Sequence, residues 1–180
     1  MSTSEPLILP WNKTWPTISQ SAFVAPTASV IGDVYVGDSA SIWFNVVLRG
    51  DVNSIRIGCR TNIQDGTIVH VSAVMHPTVI GDRVLIGHAA VIHACTLMND
   101  CFVGMGAIVM DGAVVEEKAM VAAGALVPPG KKVKSGQLWA GRPARYVRDL
   151  TSAELREFSK QTRRYVQLGK SYNELTNHNG

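Results

Sequence analysis

Four of the five histidines, His70, His76, His88 and His93, fall in one short central stretch, and His178 stands apart in the tail. Imidazole is the commonest metal ligand and the side chain whose charge changes near neutral pH. Three histidines can supply three nitrogen ligands and leave a fourth position for water, as in a catalytic zinc site. The alternative is three exposed or hydrogen-bonded histidines on a protein wall. Arg49-Gly50-Asp51 lies upstream and Asn62-Ile63-Gln64-Asp65-Gly66 follows it. As an adhesion tripeptide, Arg-Gly-Asp is a chance match. The three cysteines, Cys59, Cys95 and Cys101, show no paired C-x-x-C spacing. An odd number argues against a disulfide framework or a structural zinc ribbon, and suits small buried thiols in a reducing compartment.

The elements that must hold these residues have an unusual period. Aliphatics recur every six positions at Val24, Val30, Val36, Ile42 and Leu48, then at Ile57, Ile63 and Val69, then at Ile80, Ile86 and Ile92. After one five-residue step the series runs from Leu97 through Val103, Val109, Val115, Val121 and Val127 to Val133. Helices recur at 3.6 and ordinary strands at 2. Six fits a short strand and a turn with one inward aliphatic per pass. Three such units close a triangular coil, and coils stack about 4.8 Å apart. The narrow interior favours Val and Ile over large aromatics, which make up only 7% of the chain. Glycine often follows the aliphatic, as at Gly37, Gly58, Gly81, Gly87 and Gly104, and is expected to supply backbone freedom at the turns. The fold class is mainly β, a parallel β-helix of hexapeptide type, with its handedness open at this point.

The irregularities locate the chemistry. The period breaks between Leu48 and Ile57, around Arg49-Gly50-Asp51; between Val69 and Ile80, around His70, His76 and Pro77; and at the short step from Ile92 to Leu97, which holds His93. His70 and His88 are 18 residues apart, nominally one coil, although the interruption blurs that phase. His70 and His93 directly follow inward aliphatics and His88 does not, so their side chains should point differently. His76, beside Pro77, reads as a surface residue, with a proton relay as the alternative.

Residues 1–20 read as an N-terminal extension, 21–135 as the β-helix, and 136–180 as a loop followed by a helix. The segment 136–145 looks like a loop leaving the coils. Thr151-Ser152-Ala153-Glu154 is a capping box. Leu155, Phe158, Thr162, Tyr165, Gly169 and Tyr172 then follow at helical spacing, predicting an amphipathic helix over about 152–175. Residues 1–144 carry ten Lys/Arg against ten Asp/Glu, and residues 145–180 carry seven against four, so the net charge of +3 belongs to the terminal segment. The solenoid therefore shows no basic footprint for nucleic acid. No apolar run approaches the ~20 residues of a membrane span. The start of the chain lacks a signal-peptide pattern, and a cytoplasmic protein is expected.

Leu48-Arg49-Gly50-Asp51, Asn62-Ile63-Gln64-Asp65-Gly66, Val69-His70, Ile86-Gly87-His88, Ile92-His93-Ala94-Cys95 and Val103-Gly104-Met105-Gly106 together resemble the γ-class carbonic anhydrase-like proteins, a branch of the hexapeptide-repeat superfamily. The loop Leu138 to Pro143 and the terminal helix match in kind. The resemblance implies a single-stranded left-handed β-helix that assembles as a homotrimer. It implies a metal between subunits, held by His70 and His93 of one chain and His88 of the next. Zinc is the default, with iron or cobalt able to substitute. Gln64 is expected to orient the reacting water, Asn62 to line the pocket, and Tyr165 to reach it from the helix. Gln167 stands where the archetype has asparagine. Arg49, Asp51 and Asp65 are expected to form ion pairs at or beside the interface.

The activity so implied is reversible hydration of CO2 to bicarbonate by a zinc-bound hydroxide at the trimer interface. One departure matters. The archetype's two glutamates near the pocket have no counterpart, because Val52 follows Asp51 and residues 71–78 hold no carboxylate. Two other functions remain in view: a metal-dependent acyl-CoA thioesterase or hexapeptide acyltransferase, and a non-catalytic metal-binding scaffold subunit.

Overall fold

The computed structural model describes residues 5–177, so His178 lies outside the described residues. The chain winds into a parallel β-solenoid of about seven turns with three sheet faces. The first face stacks Ile68–His70, Val91–His93, Ile108–Val109 and Leu126–Val127. The second stacks Thr78–Ile80, Thr96–Leu97, Val114–Val115 and Lys132–Val133. Both faces spring from the long strand Val47–Ile57, which turns the corner between them and pairs with Ser29–Val36. The third face runs from Phe23–Val24 through Ser41–Ile42, Asn62–Ile63, Leu85–Ile86, Phe102–Val103 and Met120–Val121 to Gln137–Ala140.

The period-six aliphatics form the core. Every member of the series from Val30 to Val133 is at most 2% exposed, and Val24 at the open end is partly buried. Their alignment puts one branched side chain above another on each face, which gives van der Waals contact along the whole axis. Thr61 and Thr67 take corner positions inside the coil. Each donates its hydroxyl to a carbonyl one turn on, at Gly81 and Gly87, and accepts from Val84 N–H and Ala90 N–H. No polar group is stranded there.

The glycines after the inward aliphatics answer a different need from the one expected. Gly37, Gly58, Gly81, Gly87 and Gly104 do not have positive φ. They lie where successive coils touch: a Cβ on Gly104 would meet Ala123 N at 2.4 Å. Positive φ is taken instead by other corner residues, glycine at Gly66 and Gly106 but also Asn45, Arg60, Arg83 and Ala89.

The first interruption has a simple physical form. Val34 follows Gly32 by two positions, whereas its partner Ile55 follows Gly50 by five, so three extra residues leave the ladder as a bulge. That bulge carries Asp51. The second interruption is the loop 71–77, tied down by Ser72 N–H to His76 O and by Asn53 Nδ2 to Ser72 O.

The ends differ from the sequence reading in detail. Leu7–Leu9 and Thr17–Ile18, in the expected extension, pair in parallel with Ser29–Ile31 and Tyr35–Val36 and begin the solenoid. The expected loop 136–145 contains the strand Gln137–Ala140, where Trp139 pairs with Val121 and replaces the branched aliphatic. Arg145–Asp149 then returns antiparallel along it. The helix spans Ser152–Asn177. Its box is formed: Glu154 N–H donates to Thr151 Oγ1 and Thr151 N–H to Glu154 Oε2. Phe158 packs on Phe102, Tyr165 on Trp43, and Tyr172 on Phe23, Trp43 and Phe44, so the helix covers the third face. Among the described residues no helix is long and apolar enough to cross a membrane.

Candidate metal centre

His70 and His93 end adjacent strands of the first face and pair directly in register. Parallel stacking therefore puts one imidazole over the other, with ring centroids 5.2 Å apart. His70 Nδ1 and His93 Nε2 face each other at 3.2 Å. The opposite nitrogen of each ring meets a carboxylate. His70 Nε2 donates to Asp51 Oδ1 at 3.1 Å, and His93 Nδ1 donates to Asp111 Oδ1 at 2.6 Å.

This arrangement fixes what the facing nitrogens can do. A carboxylate only accepts, so the outer nitrogens carry the hydrogens. In neutral imidazoles the two inner nitrogens then present lone pairs to one another, which repel unless a cation answers both. A tetrahedral zinc with Zn–N bonds near 2.0–2.1 Å separates two ligand nitrogens by about 3.3 Å. The observed 3.2 Å fits that spacing. The carboxylates are the partners that metal-bound histidines ordinarily use to fix tautomer and raise basicity.

Asp51 has a crowded environment. Burial works to raise its carboxyl, but hydrogen bonds from Arg49 and His70, with the Arg49 charge, outweigh burial and hold it below the usual carboxylate range. Arg49 Nη1 donates to Asp51 Oδ2, and Val52 N–H to Oδ1. The Arg49–Asp51 ion pair thus lies within one chain.

His88 is elsewhere. It sits at the corner leading out of the third face and is half exposed, with Nδ1 2.8 Å from Asp65 Oδ2. The structure pairs Asp65 with this histidine rather than with an arginine. Among the described residues of one chain no three His, Cys, Asp or Glu side chains converge on a metal position. The three histidines therefore divide into a pair and a single, each with its own carboxylate.

Three further sequence-selected residues belong to the His88 side. Gln64 directly precedes Asp65 and is 7% exposed, and its Nε2 donates to Asn62 Oδ1 at 3.0 Å. Asn62 is 1% exposed, and its Nδ2 has no hydrogen-bond partner. An orphaned buried donor is rare and costs about 1–3 kcal/mol. Tyr165 meets Trp43 edge-on at 5.6 Å. Burial raises its phenol, the Asp65 charge adds to that rise, and Arg164 opposes it. Gln167 is turned away, into a groove with Arg60, Arg83 and Asp100. His76 rests against Gly112, with Nε2 3.2 Å from where a Cβ there would lie.

Sequence reasoning missed Asp111. Its signal was present but blurred: Asp111 follows His93 by 18 residues, nominally one coil, with the five-residue step from Ile92 to Leu97 between them.

A family profile described as "Hexapeptide repeat of succinyl-transferase" matches residues 99–128. The chain is 50% identical over 162 residues to "Gamma carbonic anhydrase 1, mitochondrial" of Arabidopsis thaliana, covering 87% of this chain and 59% of that protein. It thus spans about three fifths of the plant relative's length. It is 43% identical over 169 residues to a "Carbonic anhydrase" of Geobacillus kaustophilus (strain HTA426), covering 94% of this chain and 92% of that one. The crystal structure of a hexapeptide transferase family protein from Anaplasma phagocytophilum superposes with TM-score 0.89 at 50% identity, covering 92% of this chain and 98% of that chain. The solenoid is accordingly a left-handed β-helix with one C-terminal helix.

Proposed function

The chain belongs to the γ-class carbonic anhydrase-like branch of the hexapeptide-repeat proteins, and from that premise we propose that it catalyses reversible hydration of CO2 to bicarbonate at a metal shared between copies in a homotrimer. The observation that carries this reading is the pair of ring nitrogens of His70 and His93 facing each other at 3.2 Å, backed by Asp51 and Asp111. His70 and His93 would hold the metal from one subunit and His88 from its neighbour. Zinc suits three neutral nitrogen donors, and iron or cobalt can use the same set. A bound metal of this kind acts as a Lewis acid and brings the ionisation of water near neutral pH.

The rest of the chemistry falls to the chain's own side chains. Gln64 spends Nε2 on Asn62, which leaves Oε1 to accept a hydrogen from the attacking water and aim its lone pair at carbon. Asn62 Nδ2, otherwise unpartnered, can donate to a CO2 or bicarbonate oxygen as charge develops there. Tyr165, held edge-on against the buried Trp43, would present aromatic surface to an uncharged substrate. Asp51 and Asp111 are engaged by the two imidazoles, and the loop 71–77 offers no carboxylate, so the proton would leave through another group or through buffer.

Self-association has support in the outward residues of the first face. Val47, Ile68, Val91, Ile108 and Leu126 stack as an apolar ladder beside the histidine pair, and Ile68 is 47% exposed. Such an apolar stripe suits a partner copy.

The test is metal analysis and CO2 hydration on one anaerobically purified sample. Wild type should carry metal and accelerate hydration above buffer, and His93→Ala should lose both. A fully metallated trimer with no rate above buffer would refute the activity and favour the scaffold alternative. Thiol release from an acyl-CoA panel would favour the thioesterase or acyltransferase alternative.

A further inference from the structure

We infer that Asp111 is a positioning residue that fixes the His93 imidazole for metal binding, an inference that rests on the metal reading above. The contact is the shorter of the two that hold the histidine pair: His93 Nδ1 lies 2.6 Å from Asp111 Oδ1. A charge-assisted bond of that length holds the hydrogen on Nδ1 and turns the Nε2 lone pair toward His70. Among the described residues Asp111 has no other side-chain partner, whereas Asp51 is shared by Arg49, His70 and the Val52 amide.

The backbone around Asp111 is held on three sides. Its carbonyl accepts from Gly130 N–H at 2.8 Å, and the next amide, of Gly112, donates to Ala94 O at 2.7 Å. The His76 ring covers Gly112 from the loop 71–77. Two of these ties join Asp111 to its neighbouring coils. The Ala94 carbonyl is one residue beyond His93, so imidazole and carboxylate are anchored to the same pair of turns. Without the carboxylate the one-third-exposed His93 ring has no described side-chain partner at Nδ1, and either nitrogen can carry the hydrogen. Asp111 acts on the far side of the ring and does not itself touch the metal.

The test titrates the metal-free trimer with Co2+ in competition with a chromophoric chelator. Asp111→Ala should weaken Co2+ affinity about 10- to 100-fold. Asp111→Asn, which keeps an uncharged acceptor, should fall between it and wild type. The visible Co2+ spectrum should change in Asp111→Ala and move back toward wild type in Asp111→Asn. Glu117→Gln, at an exposed carboxylate outside the site, should match wild type. Asp111→Ala binding Co2+ within twofold of wild type overturns the inference. If Asp111→Ala loses the trimer, an Asp111→Asn affinity and spectrum equal to wild type overturn it. The activity is judged separately: a wild type that binds Co2+ but hydrates no CO2 removes the proposed reaction and leaves the positioning role in place.

Discussion

Mixed trimers offer a decisive perturbation, because the histidine pair and His88 lie in different parts of one chain. Each shared centre would take His70 and His93 from one subunit and His88 from the next. His93→Ala chains lack the pair and His88→Ala chains lack the single ligand, so either homotrimer has no complete centre. In trimers assembled at random from equal amounts of both, a centre is complete when an intact pair abuts an intact His88. Each condition holds for half of the subunits, so about one quarter of the centres are whole. Co-expression with two different affinity tags and sequential purification would isolate the mixed species. Metal per subunit and CO2-hydration rate of the isolated mixed trimers should each reach about a third of wild type, one whole centre in three, against about a quarter for the unfractionated mixture. Two-to-one and one-to-two trimers should behave alike, since each contains one productive junction. Mixed trimers no better than either parent, with wild type fully active, would refute division of the ligands between subunits.

The close stacking of coils makes Gly104→Ala destabilising, because the new Cβ would sit 2.4 Å from Ala123 N. A cost of about 1–3 kcal/mol is expected from forced backbone shifts, read as a lower denaturation midpoint with an unchanged denaturant slope. An unchanged midpoint would show that the coils can spread freely. At the helix start, a hydrogen bond from Arg148, followed by those from the Thr151 amide and hydroxyl, pulls the Glu154 carboxyl down to about 2 from its ordinary 4.5. A depressed carboxyl stabilises the fold above its ordinary pKa and stops doing so as pH falls through the folded value. Thermal melts of Glu154→Gln should therefore lie below wild type at neutral pH and converge with it as the pH falls toward about 2.

Much of the solenoid was legible because its order is local and repeated. An inward aliphatic every sixth residue, from Val30 to Val133, is a signal that no helix or ordinary strand produces. The terminal helix was equally plain from Thr151, Glu154 and the spacing of Phe158, Thr162 and Tyr165. The strand Gln137–Ala140 was hidden because Trp139 breaks the aliphatic rule while keeping its place in the stack. The glycines were seen but their reason was not: clearance between coils depends on residues one turn away, such as Ala123 against Gly104.

The histidines show the same division. The sequence by itself determined the coil, the interruptions and the imidazoles at them, since periodicity and side-chain type are properties of the chain read in order. Only the tertiary structure decided that His70 and His93 stack in register, that Asp51 reaches His70 from a bulge, and that Asp65 and Asp111 lie against His88 and His93. Those facts depend on how many residues each turn spends at its corners. A bulge of three or a step of five shifts which side chains meet, and that shift becomes visible when the coils are laid on one another.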